Sequence, residues 1–264
     1  MRRTRIAAYV ASLLLATGFT LAGAGSSQAA TGGYVALGDS YSSGVGSGSY
    51  ISSSGDCDRS TKAYPYLWNA AHGPSSFAFN ACSGARTDDV LANQLGSLNS
   101  STGLVSITIG GNDAGFADVM TTCVISSDST CLSRINTARA YVDSTLPGKL
   151  DAVYNAISAK SPSARVVVIG YPRFYLLGQA CLGLSETKRS AINSAADYMN
   201  SAIQKRAQAH GFVFGDVRTT FTGHEICSSD SWLHSVNWTN IGESYHPTAA
   251  GQSGGYLPVL TNAA

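Results

Sequence analysis

The sequence predicts a single α/β domain: a central, mainly parallel five-stranded sheet between two helical layers. Short apolar, β-rich runs recur at Tyr34–Leu37, Phe77–Ala81, Leu104–Ile109, Arg165–Ile169 and Phe212–Phe214. Several are nearly continuous in apolar character, as strands covered on both faces are. Helix-patterned stretches separate them, and that alternation implies a parallel sheet with helices on both sides. Neither an internal repeat nor a linker-like tract divides the chain, so one domain is the simplest account.

The ends and composition bound the rest. Arg2, Arg3 and Arg5 precede an apolar run from Ile6 to about Ala22, and Ser27-Gln28-Ala29 fits a cleavage pattern. These are the three parts of a secretory signal peptide. An uncleaved anchor is the alternative, but Gly and Thr interrupt the apolar run and a small-residue site follows it. Residues 1–29 are therefore read as a cleaved signal, residues 30–264 as the domain, and the protein as secreted. About 235 residues remain, enough for a full core. A formal net charge of +1, 12% charged residues and no Lys/Arg cluster argue against nucleic acid as a partner. All six cysteines lie beyond the signal. An even count in an exported chain reads as disulfides, with 15 possible pairings, and the lack of C-x-x-C weakens a zinc reading.

Between the strands, Leu132–Ala159 has helical spacing with a break at Pro147-Gly148. Ser185–His210 reads as one long helix, with Ser185 as N-cap, Lys188 and Arg189 toward solvent, and Gly211 as the stop. In open parallel sheets, sites form at the carboxyl ends of the strands. Three loops satisfy that condition: Gly38-Asp39-Ser40, Cys82-Ser83-Gly84-Ala85-Arg86 and Gly110-Gly111-Asn112-Asp113.

A serine hydroxyl becomes a nucleophile when a base takes its proton. Of the five histidines, His72 and His210 sit beside glycines at element ends, and His224 and His234 lie in an irregular stretch around Cys227. His246 precedes Pro247 and a final helix-like segment, a turn from which an imidazole can lean into a crevice. An oxyanion needs aimed donors. The Asn112 amide and the N–H groups of Gly84 and Ser40 qualify, although turn geometry alone also accounts for Gly84 and Asn112. Two other motifs fail. Gly251-Gln252-Ser253-Gly254-Gly255 matches G-x-S-x-G, but no strand precedes it and no acid or histidine follows. Gly44–Ser49 lacks phosphate-loop spacing.

Taken together, Gly-Asp-Ser, Gly84, Gly-Gly-Asn-Asp and His246-Pro247 in this order resemble the SGNH hydrolases, or GDSL lipases and esterases, from about Tyr34 to the C-terminus. "YVALGDSYSSG" and the six cysteines resemble the secreted actinomycete lipases, esterases and phospholipases in particular. The resemblance implies a flavodoxin-like sheet, Ser40 as nucleophile, His246 as general base and acid, and Ser40, Gly84 and Asn112 as oxyanion donors. The family often has Asp three residues before the histidine; here that place is Glu243. Either Glu243 orients the imidazole, as the acid of a triad does, or a backbone carbonyl replaces it in a dyad. Asp39 is expected to bond nearby backbone and hold the nucleophile turn.

Sequential disulfides are expected: Cys57–Cys82, Cys123–Cys131 and Cys181–Cys227. The first anchors the Gly84 loop, and the third ties the loop after the fourth strand to the region before His246. No metal or organic cofactor is implied. Tyr171, Phe174, Tyr175, Leu176 and Leu177 follow the fourth strand, where they either wall an acyl site or cover the core. The expected partner is a lipid or small acyl ester, with transient contact to lipid aggregates, taken by a monomer. Phospholipase A1- or A2-type activity, a carbohydrate esterase and a non-enzymatic carbohydrate- or wall-binding protein are the alternatives.

Overall fold

The computed structural model describes residues 32–264; the expected signal peptide and its cleavage site lie outside the described residues. Strand β1 (Gly33–Gly38) leads into the short helix α1 (Ser40–Ser43), then α2 (Tyr64–His72) and β2 (Phe77–Phe79). The chain continues through α3 (Thr87–Asp89), β3 (Thr102–Thr108), α4 (Phe116–Ile125), α5 (Asp128–Ser144) and α6 (Leu146–Lys160). It ends with β4 (Arg165–Ile169), α7 (Glu186–Ala209), β5 (Val213–Gly215) and α8 (Leu257–Ala263).

All pairings in the five-stranded sheet are parallel, in the order β2-β1-β3-β4-β5. This is the flavodoxin-like order, and its connections diverge between β1 and β3. A crevice therefore opens beyond the carboxyl ends of those two strands. The central strands are buried throughout most of their length, whereas the edge strand β2 is only half-buried. The apolar runs thus mark the middle of the sheet well, while the expected Phe77–Ala81 strand stops at Phe79. There Asn80 and Ala81 both donate to the Ala36 carbonyl and leave the ladder.

Two helix expectations need adjustment. The Leu132–Ala159 stretch is two helices that part at Thr145, with Pro147 in the first turn of α6, where a missing N–H costs nothing. Ser185 does cap α7, accepting from the Lys188 N–H at 3.3 Å. Lys188 and Arg189, however, are buried rather than solvent-facing. Lys188 Nζ bonds the Ser126 carbonyl, and Arg189 reaches the carbonyls of Leu176 and Gln179. These cations are held inward because they satisfy carbonyls left over at the α4 end and in the β4–α7 loop.

Candidate active site

Gly38 ends β1 at φ +121, a conformation suited to glycine, and a Cβ there would come within 2.3 Å of the Thr108 carbonyl. Its N–H and C=O are both met by the Gln94 side chain, at 2.7 and 2.9 Å. The strand end is thereby pinned just before the turn. Asp39 then caps α1, accepting from the Tyr41 N–H at 3.0 Å, and Ser40 becomes the first residue of the helix. This is the backbone role expected of Asp39, but its carboxylate does more. It also accepts from Thr108 Oγ1 at 2.6 Å and from the Tyr171 hydroxyl. Burial raises its pKa to about 6, against the opposing effect of the Thr108 and Tyr171 bonds.

Ser40 Oγ lies 2.7 Å from His246 Nε2, although the two are 206 residues apart in sequence. The other ring nitrogen, Nδ1, is 3.0 Å from the Ser244 carbonyl. A carbonyl only accepts, so Nδ1 carries the proton and Nε2 keeps a lone pair facing the serine hydroxyl. Burial lowers the imidazole to about 4, helped by nearby His234 and opposed by the Ser244 carbonyl. The ring is therefore neutral at pH 7 and able to accept a proton.

Glu243 does not occupy the orienting position considered for it. Its carboxylate accepts from the Tyr50 hydroxyl at 2.7 Å on the exposed side of the turn. The chain direction explains this: Tyr245 adopts φ +66, and the resulting bend brings the Ser244 carbonyl under the ring instead. Tyr41 OH holds the bend by donating to the Tyr245 carbonyl at 2.7 Å. A two-way pairing of His234 with the Tyr245 N–H and the His246 carbonyl holds it from the other side.

The other two loops pack against each other and against the end of β1, where the Cys82 N–H donates to the Gly38 carbonyl, while Gly84 itself lines a neighbouring pocket with Arg59, Asn80 and Gln94. Gly84 takes φ +74, and its neighbours Ser83 and Ala85 donate to Cys57 and Cys82 carbonyls. Among the described residues, the N–H groups of Gly84 and Ser40 have no acceptor. Asn112 donates one amide hydrogen to the Ala85 carbonyl at 3.1 Å, which leaves its second hydrogen available beside Ser40, with which it lines a shared cleft. Asp113 locks the two loops together by accepting from Thr87 Oγ1 at 2.6 Å and Thr87 N–H at 3.1 Å. Tyr171 OH links them to the nucleophile turn, because it accepts from the Gly111 N–H at 3.2 Å while donating to Asp39. The disulfides pair Cys57–Cys82, Cys123–Cys131 and Cys181–Cys227. The first joins the two residues whose carbonyls accept from Ser83 and Ala85, on either side of Gly84.

From Ser40 and Asn112 a cleft of about 760 Å³, open mouth included, runs between α4, α5 and α7. Phe116, Val119, Ile135, Val142, Ile192 and Met199 make its walls largely apolar. Of the five residues expected after β4, Tyr171 and Phe174 line it, and Tyr175, Leu176 and Leu177 do not. The reason is local: Asn193 clamps the Phe174 and Tyr175 N–H groups, and Leu176 donates to the Ile226 carbonyl. The chain is drawn away from the cleft, so that Tyr175 instead meets the Tyr245 hydroxyl at 3.3 Å and Leu177 faces solvent. Ser253, in the other serine motif, is exposed and folds its hydroxyl onto the Ala249 carbonyl.

Sequence reasoning missed the cleft walls on α4, α5 and α7. A signal for them existed: Ile192, Ala195, Ala196 and Met199 follow i, i+3, i+4, i+7 spacing. That spacing is equally the mark of an ordinary core stripe.

Residues 36–253 match the GDSL-like lipase/acylhydrolase family. The chain is 73% identical to Lipase 1 of Streptomyces coelicolor over 268 residues, covering all of both chains. The crystal structure of phospholipase A1 from Streptomyces albidoflavus NA297 superposes with a TM-score of 0.88 at 69% identity, covering 89% of this chain and all of that one. The extracellular lipase from Streptomyces rimosus gives 0.86 at 64% identity, covering 88% of this chain and all of that one. With the sheet order and the converging strand-end loops, this similarity establishes that the chain belongs to the GDSL-like lipase/acylhydrolase family and is an ester hydrolase.

Proposed function

We propose that the protein is a secreted enzyme that cleaves acyl esters of lipids through a covalent acyl-enzyme on Ser40. The observation that carries this reading is the 2.7 Å contact between Ser40 Oγ and His246 Nε2, with Nδ1 committed to the Ser244 carbonyl. Ser40 attacks the ester carbonyl carbon while His246 takes the hydroxyl proton. The resulting oxyanion is met by the N–H groups of Ser40 and Gly84 and by the Asn112 amide. As the ester C–O bond breaks, His246 gives its proton to the leaving alcohol. Water then attacks the acyl-enzyme, His246 takes its proton and returns it to Ser40, and the fatty acid leaves.

Ser244 supplies the orienting acceptor through its backbone, so the pair works as a dyad. A carbonyl in this position fixes the tautomer and supports the imidazolium that forms, the two roles of the acid in a triad. The apolar cleft beside Ser40 takes the acyl chain. Triacylglycerols and simple acyl esters are the proposed substrates. Phosphoglycerides form a second substrate class, favoured by the similarity to the Streptomyces albidoflavus phospholipase A1.

The test is fatty-acid release by mature protein from a triacylglycerol, phosphatidylcholine and p-nitrophenyl esters, alongside fluorophosphonate labelling. Ser40→Ala abolishes labelling and lowers turnover by about 10⁴-fold or more, whereas Ser253→Ala keeps both. A Ser40→Ala protein that still turns over or takes the label would sink the assignment of the nucleophile.

A further inference from the structure

The cleft is apolar except at two places. At one lie Asp39, Ser40 and Asn112; at the other, where α5 and α7 meet solvent, lie Arg139 and Tyr198. The Arg139 guanidinium sits 5.3 Å above the centre of the Tyr198 ring, a cation–π distance. Two further contacts cross between the same helices: Arg139 Nη2 donates to Ser194 Oγ at 2.7 Å, and Tyr198 OH donates to Asp143 Oδ1 at 2.5 Å. Together they lace α5 to α7 beside the cleft. Tyr198 remains 38% exposed, so the pair stands at the boundary between the cavity and water.

We propose that Arg139 and Tyr198 form the end stop of the acyl cleft and so set the longest acyl group that can be fully buried. The proposal rests on the acyl-ester reading above. Up to the stop, each added methylene is buried against apolar walls and raises kcat/KM by about fourfold. Beyond it, the chain must displace a guanidinium stacked on a phenol ring or bend back, and the increment is lost. Among the described residues, Arg139 Nε is buried without an acceptor, so the stop already contains an unsatisfied donor. An apolar chain end pressed against it offers that donor no partner. One turn before Tyr198 on α7, Ala195 also lines the cleft with a small side chain.

The experiment is a p-nitrophenyl ester series from butyrate to palmitate on purified mature variants, read as the position of the break in log kcat/KM against chain length. Tyr198→Ala and Arg139→Ala move the break to longer chains and raise the palmitate-to-butyrate ratio by about fivefold or more. Ala195→Phe, which narrows the passage, moves the break the other way and lowers the ratio to a similar extent. Tyr198→Phe keeps the ring and loses only the Asp143 contact; it holds the wild-type break. Were the pair only a clasp between helices, Tyr198→Ala and Arg139→Ala would lower thermal stability and scale all chain lengths equally. That result overturns the end-stop proposal while leaving the hydrolase reading intact. Wild-type protein that cleaves no member of the series would overturn the hydrolase reading itself.

Discussion

The polar rim around Ser40 and the apolar cleft beside it are built from different kinds of structure. The rim draws one or two residues from each of several loops: Ser40 after β1, Gly84 after β2, Asn112 after β3 and His246 before α8. The cleft draws faces of three helices, with walls such as Val119, Ile135 and Ile192. The rim is fixed by specific bonds, such as Asn112 to the Ala85 carbonyl, His246 to the Ser244 carbonyl and, beneath Ser40, Asp39 to Tyr171. The cleft residues are held by packing, in which side chains of similar volume substitute for one another at modest cost. Rim changes should therefore act on kcat at every chain length, and cleft changes on the dependence on chain length.

The largest effect that sharpens this contrast is at Asn112. Asn112→Ala removes one of the proposed oxyanion donors, and the expected loss is about 10²–10³ in kcat, equal for butyrate and palmitate esters. A loss confined to long chains would move Asn112 from the rim to the cleft.

Asp39→Asn comes next, with about 10–100-fold lower kcat from a displaced nucleophile turn. Its carboxylate accepts from Tyr41, Thr108 and Tyr171, and an amide cannot accept from all three partners in the same way. The groups around it are Tyr41, Tyr64, Tyr171 and Tyr256, with Asp113 the other nearby charge. Asp39 ionises at about 6 and His246 at about 4. The wild-type pH–kcat/KM profile, which reports groups of the free enzyme, should accordingly fall in two steps as pH drops, and Asp39→Asn should abolish only the upper one.

Stability follows with opposite signs at these two groups. The folded value of His246, about 4, lies below the ordinary 6.5. The unfolded chain binds more protons between those values, so this contribution weakens as pH falls through that window. The folded value of Asp39, about 6, lies above the ordinary 3.8. The folded chain holds the extra proton there, and this contribution weakens as pH rises from 3.8 to 6. Thermal melts should therefore change little between pH 4 and 6 in the wild type. In Asp39→Asn they should fall with acid, which separates the two groups.

The smallest effect is expected at Glu243. Glu243→Gln leaves the Ser244 carbonyl under the ring and alters only the exposed contact with Tyr50. The expected change in kcat/KM is less than about threefold, within the range of a surface polar contact. A drop of several hundredfold would restore a triad.

Much of the candidate rim could be picked out in the sequence because the chemistry proposed for it admits few residue types. A Gly-Asp-Ser turn at a strand exit, a Gly-Gly-Asn-Asp block and a His-Pro near the end name themselves by composition and order. The central strands β1, β3 and β4 were legible for a related reason: buried parallel strands have little freedom to be polar. Ser244 was not legible, because every residue carries a carbonyl and only the bend at Tyr245 determines which one faces the ring. Lys188 and Arg189 misled for a comparable reason, since charge suggests solvent until the carbonyls at Ser126 and Gln179 are seen to need donors. Tyr171 was expected either to wall an acyl site or to cover the core, and it lines the cleft. Its second task, joining Asp39 to the Gly111 N–H, depends on where β4 ends relative to β1 and β3.

The main-chain oxygen that steadies the imidazole carries a consequence of its own. A carboxylate in that seat can be neutralised by acid or erased by a single codon change; a peptide oxygen is susceptible to neither. What remains adjustable is the path of the backbone through residues 243 to 246. Drift in the proposed Ser40–His246 proton relay should therefore come from nearby substitutions that straighten the turn, such as loss of the Tyr41 phenol, rather than from replacement of the group that holds the ring.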